Sequence, residues 1–229
     1  MACLFSTLVL AVDVKTYIPT NAYSLLPVVK EEVDIYMPNT PSYGYFGSLI
    51  EQESCISLTH SKCWKPTSEL KTKREQGVGV GQVTRAYNAD GSIRFDKLTE
   101  LKTQYKAQLK EMSWLTIKER PDLQIRAIVL MTNEAYKALP EVTDEMERLA
   151  MADAIYNGGK GGLNKERTTC GLKAKCDPKI WFKNVELNCM KSKKPIYGNR
   201  SACDINREHV TNAIQVRRAK YEKYYKASK

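Results

Sequence analysis

Apolar residues recur along this chain at the spacing of helical faces, and strict alternation of apolar and polar positions is nowhere sustained. Leu25, Val28, Val29, Val33, Ile35 and Tyr36 share one face of a segment from Asn21 to Met37, which Pro38 and Pro41 end. Tyr43, Tyr45, Phe46, Leu49, Ile50 and Cys55 mark a second helix from about Ser42 to Ser54. Phe95 to Lys110 predicts a third. Leu123, Ile125, Ile128, Val129 and Met131 make Pro121 to Leu139 strongly periodic. Thr143 is the expected N-cap of a helix that runs to about Tyr156, where Asn157-Gly158-Gly159 breaks it.

The connecting segments read differently. Residues 56 to 81 are polar, carry Trp64 and Pro66, and close on the alternating glycines of Gly77 to Gly81, which predicts a long ordered loop of the kind that carries function. Asn88-Ala89-Asp90-Gly91 is a turn. From Lys160 to Arg200 the periodicity weakens to loops with a short helix from Trp181 to Cys189, and a last helix runs from about Asp204 to Tyr225. The expected architecture is mainly α. It has an apolar leader over residues 1–19, a helical domain over 20–162, and a loop-rich, cysteine-containing basic extension over 163–229 packed on or beside it.

Composition narrows this picture. A chain of 229 residues buries one good core, and 42% hydrophobic with 27% charged residues excludes a disordered or fibrous chain. The net charge is +10, and residues 160–229 hold 18 of the 36 Lys and Arg but only 6 of the 26 Asp and Glu. The basicity therefore belongs to the last third. It implies either an anionic partner or a solvated face. Arg217, Arg218, Lys220, Lys223 and Lys226 alternate with Tyr221, Tyr224 and Tyr225 in an amphipathic terminal helix suited to anionic wall polymers or lipopolysaccharide. No nucleic-acid motif is present, so a nucleic-acid partner is not expected.

Cys3 lies in the leader, and six cysteines remain. Their spacings pair Cys55 with Cys63, Cys170 with Cys176 and Cys189 with Cys203, although other connectivities and a metal site remain formal alternatives. No CxxC is present and His60 and His209 are far apart, so no metal is expected. The apolar run of the first twelve residues is shorter than the roughly 20 residues that span a bilayer. It reads as a signal peptide cleaved at Ala11 or as a segment that is never removed.

Three pieces carry candidate chemistry: Ile50-Glu51-Gln52-Glu53-Ser54, then Gly77-Val78-Gly79-Val80-Gly81-Gln82-Val83, then Ala154-Ile155-Tyr156-Asn157-Gly158-Gly159. In this order and at these separations they resemble the three active-site motifs of the lytic transglycosylase and goose-type lysozyme superfamily. The wider pattern from Tyr43 onward resembles phage endolysins and virion lysins. The resemblance implies a lysozyme-like helical domain without a cofactor. It also implies that Glu53 is the catalytic acid, Ser54 the residue that orients it, Gln82 a contact to a sugar amide, and Tyr156 with Asn157 the groove wall. The chain departs from the motif where Gly81 abuts Gln82, since many members carry a hydrophobic pair there.

The chemistry of the residues agrees. Breaking a glycosidic bond needs a proton on the leaving oxygen while positive charge builds on the ring. A helix C-terminus and apolar neighbours favour the neutral acid at Glu53. The carboxylate left behind can take the proton of the C6 hydroxyl of N-acetylmuramic acid, so that one carboxylate suffices. Hydrolysis instead needs a second carboxylate about 6.5 to 9.5 Å away, for which Glu75 is the candidate, with an ion pair to Lys73 or Arg74 as its alternative role. Glu51, two residues before Glu53, is expected on a solvated face. Trp64 and Trp181 are expected in the core. The expected protein is thus a monomeric enzyme that cleaves peptidoglycan glycan strands, exported to the periplasm or cell wall or carried on a virion. Lysozyme-type hydrolysis is the alternative, and a non-catalytic wall- or nucleic-acid-binding module a more distant one.

Overall fold

Helix α1 (Ala22–Tyr36) buries Leu26, Val29 and Val33 and packs on α4 (Pro121–Lys137), with Pro27 inside it as its sixth residue, where the ladder forgoes one amide donor. The computed structural model to which these elements belong describes residues 12–227; the leader through Ala11, and Cys3 within it, lie outside the described residues. Ser42 caps α2 (Tyr43–Ser54) by accepting a hydrogen bond from the Tyr45 amide. Nine of the twelve α2 residues are buried, because the helix runs through the middle of the molecule. Gly44 and Gly47 permit this: a Cβ at Gly44 would come within 2.7 Å of the Arg218 carbonyl oxygen, and one at Gly47 within 2.5 Å of the Tyr221 ring.

Four short strands, β1 (Glu69–Lys71), β2 (Glu75–Val78), β3 (Val83–Tyr87) and β4 (Ile93–Asp96), form an antiparallel sheet in sequence order. Glu69 faces Val78, Val78 faces Val83, and Arg85 faces Asp96. This corrects the reading of residues 56–81 as a loop and of the chain as strandless. The expected helix from Phe95 begins instead at Lys97 as α3 (Lys97–Gln104), with Asp96 accepting from the Thr99 amide as its N-cap. Helix α4 separates two apolar clusters. Ile125, Ile128 and Val129 join the main core, while Leu123, Ala127 and Leu130 pack with Val78, Val83, Leu98 and Leu101 of the sheet and α3.

Asp144, not Thr143, caps α5 (Glu145–Gly158), accepting from the Met146 and Glu147 amides. A helix that the sequence reading missed, α6 (Lys160–Gly171), follows. The Trp181 to Cys189 segment holds only a 3₁₀ turn, Val185–Asn188, and a two-stranded pairing of β5 (Pro195–Tyr197) with β6 (Arg200–Ser201) leads into α7. The expected single last helix is two, α7 (Ala202–Thr211) and α8 (Arg218–Ala227), joined by a π-helical stretch, Asn212–Val216. Ser48 of α2 donates to the Ala213 carbonyl inside that stretch at 2.7 Å, taking up an acceptor where the helical ladder is interrupted. All three expected cysteine pairs are disulfides: Cys55–Cys63, Cys170–Cys176 and Cys189–Cys203. No helix among the described residues is long and apolar enough to cross a membrane.

The C-terminal helices contribute to the same core as α1 and α2 through Val210, Ala213, Ile214, Tyr221 and Tyr225. Their basic residues are accordingly split. Lys223 and Lys226 are exposed, but Lys220 is buried with its Nζ 2.7 Å from Glu51 Oε2, and Arg217 approaches the same carboxylate at 3.5 Å. Glu51, expected to be solvated, is fully buried. It also accepts a 2.5 Å hydrogen bond from the Tyr221 hydroxyl, which in turn accepts from Trp64 Nε1 at 3.1 Å. Trp64 and Trp181 are core residues as expected. Removing one partner of such a buried pair strands the other charge. Glu51→Gln is expected to lower unfolding free energy in urea by about 3–5 kcal/mol; a loss below about 1 kcal/mol, the range of surface pairs, would contradict the role given to it.

Candidate active site

Glu53 sits in the last turn of α2, whose end is fixed by two ties. The Ser54 hydroxyl donates to the Ile50 carbonyl at 2.7 Å and accepts from the Trp64 amide at 3.1 Å, and Cys55 is bonded to Cys63. Ser54 thus anchors the returning chain and holds the helix end that carries Glu53. The β2–β3 turn brings Gln82 alongside. Gly79 adopts φ +78° there, and a Cβ would lie 2.2 Å from Gln124 Oε1. That oxygen accepts from the Val80 amide at 2.8 Å, so what approaches the glycines so closely is α4. Gln82 itself has φ +44° and donates through Nε2 to the Gly79 carbonyl at 2.7 Å.

Tyr156 and Asn157 come from the end of α5, where Gly159 takes φ +80° as the cap. Asn157 Oδ1 accepts from Asn206 Nδ2 of α7 at 2.9 Å, and the same amide reaches the Ala154 carbonyl at 3.2 Å. Four of the expected residues therefore meet. Glu53, Gln82, Tyr156 and Asn157 line one cavity of about 330 Å³ with Thr84, Phe95 and Ile128. Glu53, Ser54 and Gln82 line a second of about 190 Å³ on the side of the Cys55 loop. A third depression of about 500 Å³ continues past Tyr156 and shares Lys97, Met131 and Tyr156 with the first. Glu53, its side chain 20% exposed, stands where the first two meet. Glu75 lies on β2, opposite Ala86 of β3, and lines none of these three depressions.

Behind Glu53 lies a set of groups that the sequence reading did not assemble. His209 of α7, only 3% exposed, places Nε2 2.7 Å from Glu53 Oε1 and Nδ1 2.7 Å from Asp153 Oδ2. Asp153 is fully buried on α5, and its Oδ1 accepts from the Tyr45 hydroxyl at 2.8 Å. The Tyr156 ring stacks on the imidazole at 6.4 Å and 21°. Burial alone pushes the imidazole down, but the charges and hydrogen bonds of Asp153 and Glu53 outweigh it and raise His209 from 6.5 to about 10. Burial, with Asp153 beside one phenol and Glu53 beside the other, holds Tyr45 and Tyr156 well above the ordinary tyrosine range. One signal for this set was present in the sequence: Asp153 and His209 are titratable residues on otherwise apolar helix faces, next to Ala150, Ala154 and Val210.

The arrangement offers a partly exposed carboxyl with a proton-holding partner, facing a groove whose first cavity is lined by the amides of Gln82, Gln124 and Asn157, the hydroxyls of Thr84 and Tyr156, the ammonium of Lys97 and apolar side chains. A scan against protein-family models gives no match, and a search of curated proteins gives none.

Because folding raises the affinity of His209 for its proton, that proton stabilises the fold fully below about pH 6.5 and the contribution is lost as pH rises through about 10. Thermal melting across this window is expected to show the advantage of the wild type over His209→Gln shrinking steadily; a gap that stays constant would contradict the buried, charged imidazole.

Proposed function

We propose that this protein cleaves the β-1,4 bond between N-acetylmuramic acid and N-acetylglucosamine in peptidoglycan, acting as a lytic transglycosylase of lysozyme-like type. The observation that carries the reading is the position of Glu53 at the junction of two cavities in a longer groove, which lets a strand extend to both sides of the carboxyl. Gln82, Tyr156 and Asn157, the residues that the motif resemblance singles out, line the same groove.

In the proposed reaction Glu53 gives its proton to the glycosidic oxygen as the C1–O4 bond breaks. The C6 hydroxyl oxygen of the muramic residue then attacks C1, and its proton passes to the Glu53 carboxylate. No water is consumed, and the products carry a 1,6-anhydro end. The C6 hydroxyl belongs to the same sugar as C1, so this internal nucleophile is held close to the carbon that it attacks. An inverting hydrolase needs a second carboxylate about 6.5 to 9.5 Å from the acid to activate water. Glu53 is the one carboxylate among the residues lining the first cavity. Glu69 in the second is engaged by Lys118 and Gln76. Asp153 is sealed behind His209, and this supports the single-carboxylate route over the alternative built on Glu75.

Three disulfides are compatible with work outside the cytoplasm, on the wall, as a phage endolysin or virion lysin does. The exposed Lys223 and Lys226 leave a reduced basic face for anionic wall polymers or lipopolysaccharide.

Purified peptidoglycan treated with the wild type is expected to release muropeptides lacking the mass of one water. Glu53→Gln is expected to release about a thousand-fold less while remaining folded, with its melting temperature lowered by loss of the charged contact to His209, and Glu75→Gln to keep nearly full activity. Reducing-end products, with activity lost in Glu75→Gln, would replace the transglycosylase by a hydrolase. Absence of any release by the folded wild type would remove the enzyme.

A further inference from the structure

The groove leaves unexplained why a histidine, a second carboxyl and a tyrosine hydroxyl are buried directly behind Glu53. Four titratable groups face His209 or its carboxyl partner: Glu53 and Tyr45 from α2, and Asp153 and Tyr156 from α5. The neighbours of His209 on its own helix are occupied elsewhere, Arg207 with Glu166 and Glu208 with Arg200.

Counting protons limits what this set can be. Asp153 Oδ1 already accepts from Tyr45, so its Oδ2 takes the proton on His209 Nδ1. The 2.7 Å contact between Nε2 and Glu53 Oε1 then needs one more proton. Either the imidazole carries it, as imidazolium against carboxylate, or Glu53 carries it, as carboxylic acid against neutral imidazole. The two forms have the same composition and the same net charge. Passage of the proton across this contact therefore leaves the net charge of the buried set unchanged, burial favouring the neutral pair and the Asp153 carboxylate favouring the imidazolium.

We infer that Glu53 and His209 hold one proton in common, with Asp153 and Tyr45 fixing the imidazole for that purpose, and that this is the proton delivered to the glycosidic oxygen. The inference rests on the proposed reaction. His209 does not touch the substrate; it is a positioning residue that keeps a proton available to Glu53 at pH values where an isolated carboxyl has lost its own. The balance closes over one turnover. The pair gives one proton to the leaving oxygen and regains one from the C6 hydroxyl, with no oxidant, reductant or water involved. The upward shift of His209 agrees, since it retains the proton within the pair through the neutral range.

The test is the pH profile of muropeptide release by the wild type and by His209→Gln from about pH 5 to about pH 10, together with ¹⁵N NMR of the His209 ring in the wild type and in Glu53→Gln. The expected result is an alkaline limb that falls by about two pH units or more in His209→Gln, with activity partly recovered at acidic pH. The ring is expected to lose its second proton at lower pH when Glu53 is neutralised. A parallel loss at every pH would reduce His209 to a structural residue and overturn the inference while leaving the proposed reaction intact. The NMR arm needs neither turnover nor the His209 variant to fold, and identical ring titrations in wild type and Glu53→Gln would also overturn it. A wild type that releases nothing would overturn the proposed reaction and, with it, the delivery of this proton, while the NMR arm still decides whether the proton is shared.

Discussion

The structure depends on a buried charge between two helices far apart in sequence. Glu51 of α2 meets Lys220 of α8 across 169 residues, with the Tyr221 hydroxyl as its second partner. Neither charge is tolerable in the core without the other. Their pairing, and the close approach that Gly44 and Gly47 allow, seat α8 against the middle of α2. Because α8 is continuous with the π-helical stretch and α7, that docking also sets where His209 falls. The basic C-terminal segment is therefore part of the frame of the site.

Two glutamates two positions apart on α2 consequently have different uses. Glu51 points into the molecule and holds it together; Glu53, at the helix end, opens onto the groove. The polar line from Tyr45 through Asp153 and His209 to Glu53 is satisfied at every link, which is the condition under which buried polar groups are tolerated. An apolar core of the same shape would cost less to fold. Retention of such a line behind the one carboxyl that lines the first cavity is the pattern expected where stability gives way to function.

Much of the helical frame was legible in the sequence. Helices α1, α2 and α4 announced themselves by period, and the cysteine spacings indicated all three disulfides. The sheet was not legible, because strands such as Glu69–Lys71 and Ile93–Asp96 are short and largely exposed, so no face alternates. Helix α6 was hidden because its three buried positions are Leu163, Glu166 and Cys170, one of them charged and paired with Arg207. For the site, local motifs brought Glu53, Gln82, Tyr156 and Asn157 to one groove. The burial of Glu51 and the contact of His209 with Glu53 are long-range facts, and local spacing carries no information about either.

The most direct measurement is a crystal structure of Glu53→Gln with a peptidoglycan tetrasaccharide. The account predicts sugars in both cavities, with the glycosidic oxygen between them within hydrogen-bond distance of the side chain at position 53. A saccharide bound elsewhere, or confined to one side of that residue with no glycosidic oxygen near it, would contradict the account.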